Sequence, residues 1–129
     1  MMTAAAKHYE CTVTVEAEFL PDQSDVEHNR YAFSYHVKII NTGNVAAQLI
    51  SRHWIINEVN GDEQEVRGLG VLGAQPLLNP GQFFEYTSGT VLNTPMGKMH
   101  GSYQMVADDG TQFDAVVPTF VLNMPRVLH

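Results

Sequence analysis

Residues 66 to 81, VRGLGVLGAQPLLNPG, place Gly68, Gly70 and Gly73 in the G-x-G-x-x-G spacing that holds a dinucleotide pyrophosphate. That chemistry needs a helix directly after the glycines, because the pyrophosphate sits on its N-terminal N–H groups. Pro76 and Pro80 stand where that helix would run, and a proline inside a helix removes a donor and clashes at a cost of about 3 kcal/mol. The fingerprint also calls for a βαβ unit with an acidic ribose ligand about 20 residues on, and the chain lacks that unit. The glycines are therefore expected to serve the backbone, through positive φ or close approach where the chain crosses a sheet edge. A second reading stays open: N–H groups beside Arg67 can form an anion-binding nest for phosphate or a nucleotide.

Six histidines, His8, His28, His36, His53, His100 and His129, show no HxH, HxxxH or HExxH spacing, so no metal ligand is assigned from local pattern. His53 lies between Arg52 and Trp54, and Trp54 is expected as a core anchor. Asp108 and Asp109 form a turn with Gly110; with Asp114 they offer a weak site for a divalent cation, without the alternating carboxylates of an EF-hand. Ser88 and Thr87 have neither a G-x-S-x-G elbow nor a local base, so no catalytic residue is assigned and an enzyme is not expected. Cys11 is the only cysteine, which excludes an intramolecular disulfide, a cysteine zinc site and a CxxC pair and suits a reducing cytoplasm.

These residues must be held by a fold, and 129 residues with 44% hydrophobic and 16% charged composition suit one domain. The ordered part is expected over about 9–122, with short extensions in 1–129. A formal net charge of −7 disfavours nucleic-acid binding. No stretch approaches the roughly 18 apolar residues of a membrane span, and no export signal is visible.

Period-two patterns dominate. Residues 10 to 19 put Cys11, Val13, Val15, Ala17 and Phe19 on one face, and residues 31 to 40 do the same with Tyr31, Phe33, Tyr35, Val37 and Ile39. In VAAQLISRHWIINEV the apolar phase changes near Ser51 and Arg52, which indicates a bulge or a strand bending between sheets. Asn60-Gly61 and Asp109-Gly110 mark hairpins; Tyr103, Met105, Phe113, Ala115 and Val117 point inward around the second. EQEVRG and QFFEYTSGTVL read as further strands, LPDQSDVEHNR and TPMGKM as loops. About seven short strands without a helical period imply an all-β, antiparallel sandwich of immunoglobulin or fibronectin type III kind.

The strings LISRHWIINEVNG, VRGLGVLGAQPLLNPGQFFEYTSG and MHGSYQMVADDGTQFDAVVPTFVL resemble the ApaG family in wording and order, from about Tyr9 to Leu122. The resemblance implies a fibronectin type III-like sandwich. It implies a bacterial, cytoplasmic protein without an established catalytic activity, associated with magnesium and cobalt tolerance and with genes of diadenosine tetraphosphate metabolism. Similar domains are joined to eukaryotic F-box and polymerase-interacting proteins, where protein binding is the usual inference. The family's glycine signature falls on Gly68, Gly70 and Gly73 and continues through Gln75 and Pro76.

The expected function is a non-enzymatic protein-interaction module without a cofactor. Its candidate surface is Arg67, Gly68, Gly70, Val71, Leu72, Gly73, Gln75, Pro76 and Leu77, and the same open edge could join two copies into a homodimer. Val71, Leu72, Leu77 and Leu78 either contact the partner or plug the end of the sandwich. The alternative is a small-ligand or divalent-cation binder using the Gly68–Gly73 loop or the Asp108-Asp109 turn.

Overall fold

The computed structural model of the chain describes residues 6–125, so Arg126 and His129 fall outside the described residues. Alternation becomes strand along most of the chain: β1 (Cys11–Phe19), β2 (Tyr31–Asn41), β3 (Ala47–Glu58), β4 (Glu63–Leu69), β5 (Leu77–Leu78), β6 (Phe83–Leu92), β7 (Met96–Ala107) and β8 (Gln112–Asn123). In β1, Cys11 and Val13 are buried and Val15 and Phe19 pack half-buried against the core, while Ala17 is exposed. The segment between β1 and β2 folds into two 3-10 turns, Pro21–Gln23 and Val26–His28. Ser24 Oγ fastens it, donating to the Leu20 carbonyl at 2.7 Å and accepting from the Ala32 N–H at 2.8 Å.

All strand pairs are antiparallel, and they form one sheet in the order β1-β2-β6 and a second in the order β4-β3-β7-β8, with β5 also on β3. This is the fibronectin type III-like sandwich. Among the described residues there are eight strands rather than about seven, because Leu77 and Leu78 pair with Gln48 and Ala47. A two-residue strand is too short to show a period.

TPMGKM is a loop only at its start: β7 begins at Met96. The turn before it is short because the buried Glu58 carboxylate satisfies it. Glu58 Oε1 accepts from the N–H groups of Asn93 at 2.7 Å and Thr94 at 3.0 Å, and from the Thr94 hydroxyl at 3.0 Å. Gly97 is inside the strand for space, since a Cβ there would stand 2.9 Å from Leu92 Cδ1 and 3.0 Å from the Asn57 carbonyl oxygen.

Trp54 anchors the core. Its ring lies 5.6 Å from Tyr35, 6.0 Å from Tyr103 and 6.0 Å from Phe120, the last two edge-to-face. Tyr86 and Tyr103, one from each sheet, hydrogen-bond to each other through buried hydroxyls. Burial pushes the Tyr86 hydroxyl up to about 12, and Tyr103 is raised for the same first reason.

One long seam between the sheets is closed by β1 packing on β8. Tyr9 reinforces it, with its ring 6.0 Å from Phe113 and its hydroxyl donating to Asp109. Among the described residues no helix is long and apolar enough to cross a membrane.

The hydroxyl pair makes a test of the core. Tyr103→Phe removes the Tyr86 hydroxyl's partner across the sheets and should cost about 1–3 kcal/mol in urea unfolding. Tyr86→Phe/Tyr103→Phe removes both polar groups and should cost less than the two single changes added together.

Candidate functional site

The glycine segment is mounted on a bulge. The pairing of β3 with β7 jumps between Leu49 and Ser51, leaving Ile50 as the surplus residue. The Ile50 carbonyl accepts the Gly70 N–H at 2.8 Å and the Gln75 Nε2 at 2.9 Å, which pins both ends of the loop to one atom. Gln48 Nε2 donates to the Gln75 carbonyl at 3.0 Å, and the Leu49 N–H donates to that of Pro76 at 3.0 Å. Gln75 and Pro76 are therefore struts of the loop.

Between these pins the chain makes a two-residue hairpin. Val71 and Ala74 exchange N–H···O bonds of 2.8 and 2.9 Å, and both central residues have positive φ, Leu72 at 50° and Gly73 at 79°. These are the signs of a type I′ turn, whose first central position suits Asn or Gly and strains leucine. Gly70 also has positive φ, 61°, and a Cβ on it would meet the Ala74 carbonyl oxygen at 2.5 Å. Gly68 answers to space: a Cβ there would lie 2.7 Å from Arg52 Nη1 and 2.9 Å from its Cζ.

Arg52 is the residue that sequence reasoning passed over. Its guanidinium covers Gly68 and donates from Nη1 to the carbonyls of Leu69 at 3.2 Å and Gly70 at 2.8 Å. The only signal for it was its place at the apolar phase change. The loop thus turns oxygens toward an arginine, while the N–H groups of Gly70, Val71 and Ala74 are spent on carbonyls. An anion-binding nest would have to do without those three donors.

The apolar loop residues divide. Val71 is 1% exposed and Leu78 3%, so both plug the core and Val71 leaves the candidate surface. Leu69, Leu72 and Leu77 are 77%, 71% and 58% exposed. Leu69 lies opposite Ser51 and Leu77 opposite Gln48, on the same edge of β3 and on the face turned away from the core. Arg67, on the same outer face, donates from Nε to Glu65 Oε1 at 2.9 Å, and His53 Nε2 lies 2.8 Å from that oxygen. The Arg67 guanidinium, with His53 behind it, holds the Glu65 carboxyl below the usual range. A shallow cavity of about 300 Å³ is lined by Arg67 and Leu69 together with Ser51, His53 and Gln104.

Elsewhere the polar candidates serve the scaffold. Asp109 accepts from Lys7 Nζ at 2.8 Å, from the Tyr9 hydroxyl and from the Thr111 N–H at 3.0 Å, so the acidic turn is tied to the closed seam. The Lys7 hydrogen bond, then those of Tyr9 and Thr111, hold its carboxyl well below the usual carboxylate range. Among the described residues no three His, Cys, Asp or Glu side chains are grouped to hold a metal ion.

Thr87 does have a base, brought from another strand. His36 Nδ1 lies 2.7 Å from its hydroxyl and Nε2 lies 3.0 Å from Glu85 Oε2. The three sit on the outer face of the sheet whose central strand, β2, is paired on both sides. Ser88, opposite Tyr35, points to the other face.

Two measurements check this geometry. Leu72→Asn should relieve the left-handed strain and raise stability by about 1 kcal/mol, seen as a Tm increase of a few degrees. Asp109 contributes stability above the ordinary carboxylate pKa of about 4, and that stability is lost as pH falls below it, because the folded carboxyl titrates lower than the unfolded one. Asp109→Asn should flatten that acid limb in pH-dependent unfolding and leave the slope near neutrality unchanged.

The ApaG domain profile matches residues 21–107 of the chain. Protein ApaG of Methylobacillus flagellatus is 67% identical over 123 residues, covering 95% of this chain and 97% of that protein. Protein ApaG of Nitrosospira multiformis is 58% identical over 126 residues, covering 98% and 99%. The crystal structure of the putative ApaA protein from Bordetella pertussis superposes with a TM-score of 0.90 at 50% identity, over 95% of this chain and 100% of that one. A profile over most of the chain, near-complete relatives and a shared sandwich lead to one conclusion: the chain belongs to the ApaG family.

Proposed function

We propose that the chain is a non-enzymatic protein-interaction module that meets its partner through the glycine loop and the adjoining edge of β3. The observation that carries this reading is Leu72. An apolar side chain is held out in water at a backbone position where leucine is strained and asparagine would be relaxed. Stability and solubility both argue against leucine there, and contact with a partner argues for it. Leu69, Leu77 and Arg67 extend the surface on the same side, while Gly68, Gly70, Gly73, Gln75 and Pro76 set its shape from beneath.

In this reading the module works in the cytoplasm, and the magnesium and cobalt tolerance associated with ApaG proteins reaches the chain through its partner rather than through a bound ion. The test is an affinity pull-down from bacterial lysate using the intact protein beside a folded Arg67→Glu/Leu72→Asp variant. A protein retained by the first and lost by the second is the expected result; equal retention by both baits would sink this surface. A melting shift with millimolar nucleotide or magnesium would favour the small-ligand reading instead, because a ligand of the folded state raises apparent stability.

A further inference from the structure

The two sheets are unequal, and the mismatch leaves a groove. Apart from the short β5, four strands, β4-β3-β7-β8, face three, β1-β2-β6. The β1–β8 seam is closed by packing, so the surplus strand overhangs at the other side. There β4 turns Gln64, Val66 and Gly68 inward, opposite Ile56, Trp54 and Arg52, yet Gln64 and Val66 remain exposed. Across the gap β6 presents only small inward side chains, Ser88 and Thr90, between the larger Tyr86 and Leu92. The resulting crevice, about 210 Å³, runs between β4 and β6 with Trp54 and Arg52 in its wall.

Two features of this groove are unsatisfied. The first is the edge of β6, which pairs with β2 from Phe83 to Leu92 and with no strand on its other side among the described residues. The second is charge. In a chain of net charge −7, Arg52 belongs to none of the ion pairs among the described residues. Its hydrogen bonds there all run from Nη1 to the loop carbonyls, which leaves Nη2 and Nε for an acceptor in the groove.

We infer that this groove takes an extended segment of a partner protein as a fourth strand on the free edge of β6, with an inward Asp or Glu side chain on the Arg52 guanidinium. The inference rests on the interaction-module reading but uses a different surface from the leucine loop. A strand added at the usual spacing of about 4.8 Å lies under β4 and sends alternate side chains into the crevice. Inward positions on one side of the acid then meet Val66, Ile56 and Met99, so apolar residues fit there. Arginine is suited to the pair, since its planar fork accepts a carboxylate on two N–H groups.

The probe is the capped peptide acetyl-Thr-Val-Thr-Glu-Thr-Val-Thr-amide, titrated into the full chain at millimolar concentration and followed by amide NMR. Shifts should concentrate at Ser88, Gly89, Thr90 and the Trp54 indole. The Gln analogue of the peptide should bind about tenfold more weakly, the loss of one charge-assisted pair. Arg52→Gln should make the two peptides equal. Since Arg52 also holds the loop, Val66→Glu is the second variant: it leaves the loop untouched, adds a like charge to the groove and should abolish binding. Equal affinity of the Glu and Gln peptides for the unaltered chain, shifts confined to the outer edge of β4, or no shifts would each overturn the inference. The Arg67→Glu/Leu72→Asp variant should bind the peptide normally. Loss of peptide binding there would overturn the separate groove, whereas normal peptide binding with equal partner capture by both baits would fail the loop surface alone.

Discussion

At Ile50, β3 carries one residue more than its partner β7, and the register passes from Leu49 opposite Met105 to Ser51 opposite Gln104. Side chains in a strand alternate between faces, so the surplus residue exchanges inside and outside along the rest of the strand. Before it, Ala47 and Leu49 are buried; after it, Trp54 and Ile56 are. Without the exchange Trp54 would point to solvent, and the contacts it makes with Tyr35, Tyr103 and Phe120 across the two sheets would be lost. The bulge also turns the Ile50 carbonyl outward, where it takes Gly70 and Gln75 together. Core packing and the loop are consequences of the same extra residue.

The loop in turn needs Arg52 and the glycines as a set. A guanidinium can lie against the backbone at position 68 only if no Cβ is there, and it can collect the carbonyls of Leu69 and Gly70 only if the chain bends back at once. Positive φ at Gly70 and Gly73 supplies that bend. The dinucleotide spacing arises here from an arginine clamp and a two-residue hairpin. A sequence pattern of glycines reports where backbone must come close or turn; what it approaches depends on the neighbouring strand.

Legibility in the sequence follows the range of the interactions. The long strands and the Asn60-Gly61 and Asp109-Gly110 turns were readable because alternation and turn chemistry act over a few residues. The phase change near Ser51 was readable for the same reason. Leu77-Leu78 was not, since two residues carry no period. The start of β7 was misread because Pro95 and Gly97 look like loop punctuation, while the group that satisfies that turn, Glu58, comes from another strand. Val71 and Leu72 are chemically alike neighbours, and only the hairpin geometry sends one into the core and the other into water. The His36, Thr87 and Glu85 cluster was invisible locally because its members meet across a strand pair.

Arg52 gives the two open surfaces a common support. A guanidinium is costly to take out of water, so half-buried Arg52 needs acceptors. Two carbonyls supply part of that on the loop side, and the groove side stays open to water. A carboxylate of the chain's own could have completed the shell, and the chain carries fourteen acidic residues from which to draw one. Instead Glu65, on the neighbouring strand β4, projects from the outer face and pairs with Arg67 and His53. The register dictates that outcome: residues opposite Trp54 and Arg52 are Val66 and Gly68, and the acidic positions of β4, Glu63 and Glu65, fall on the other face. The alternation that keeps β4 soluble outside therefore also keeps the inner side of the groove positively charged.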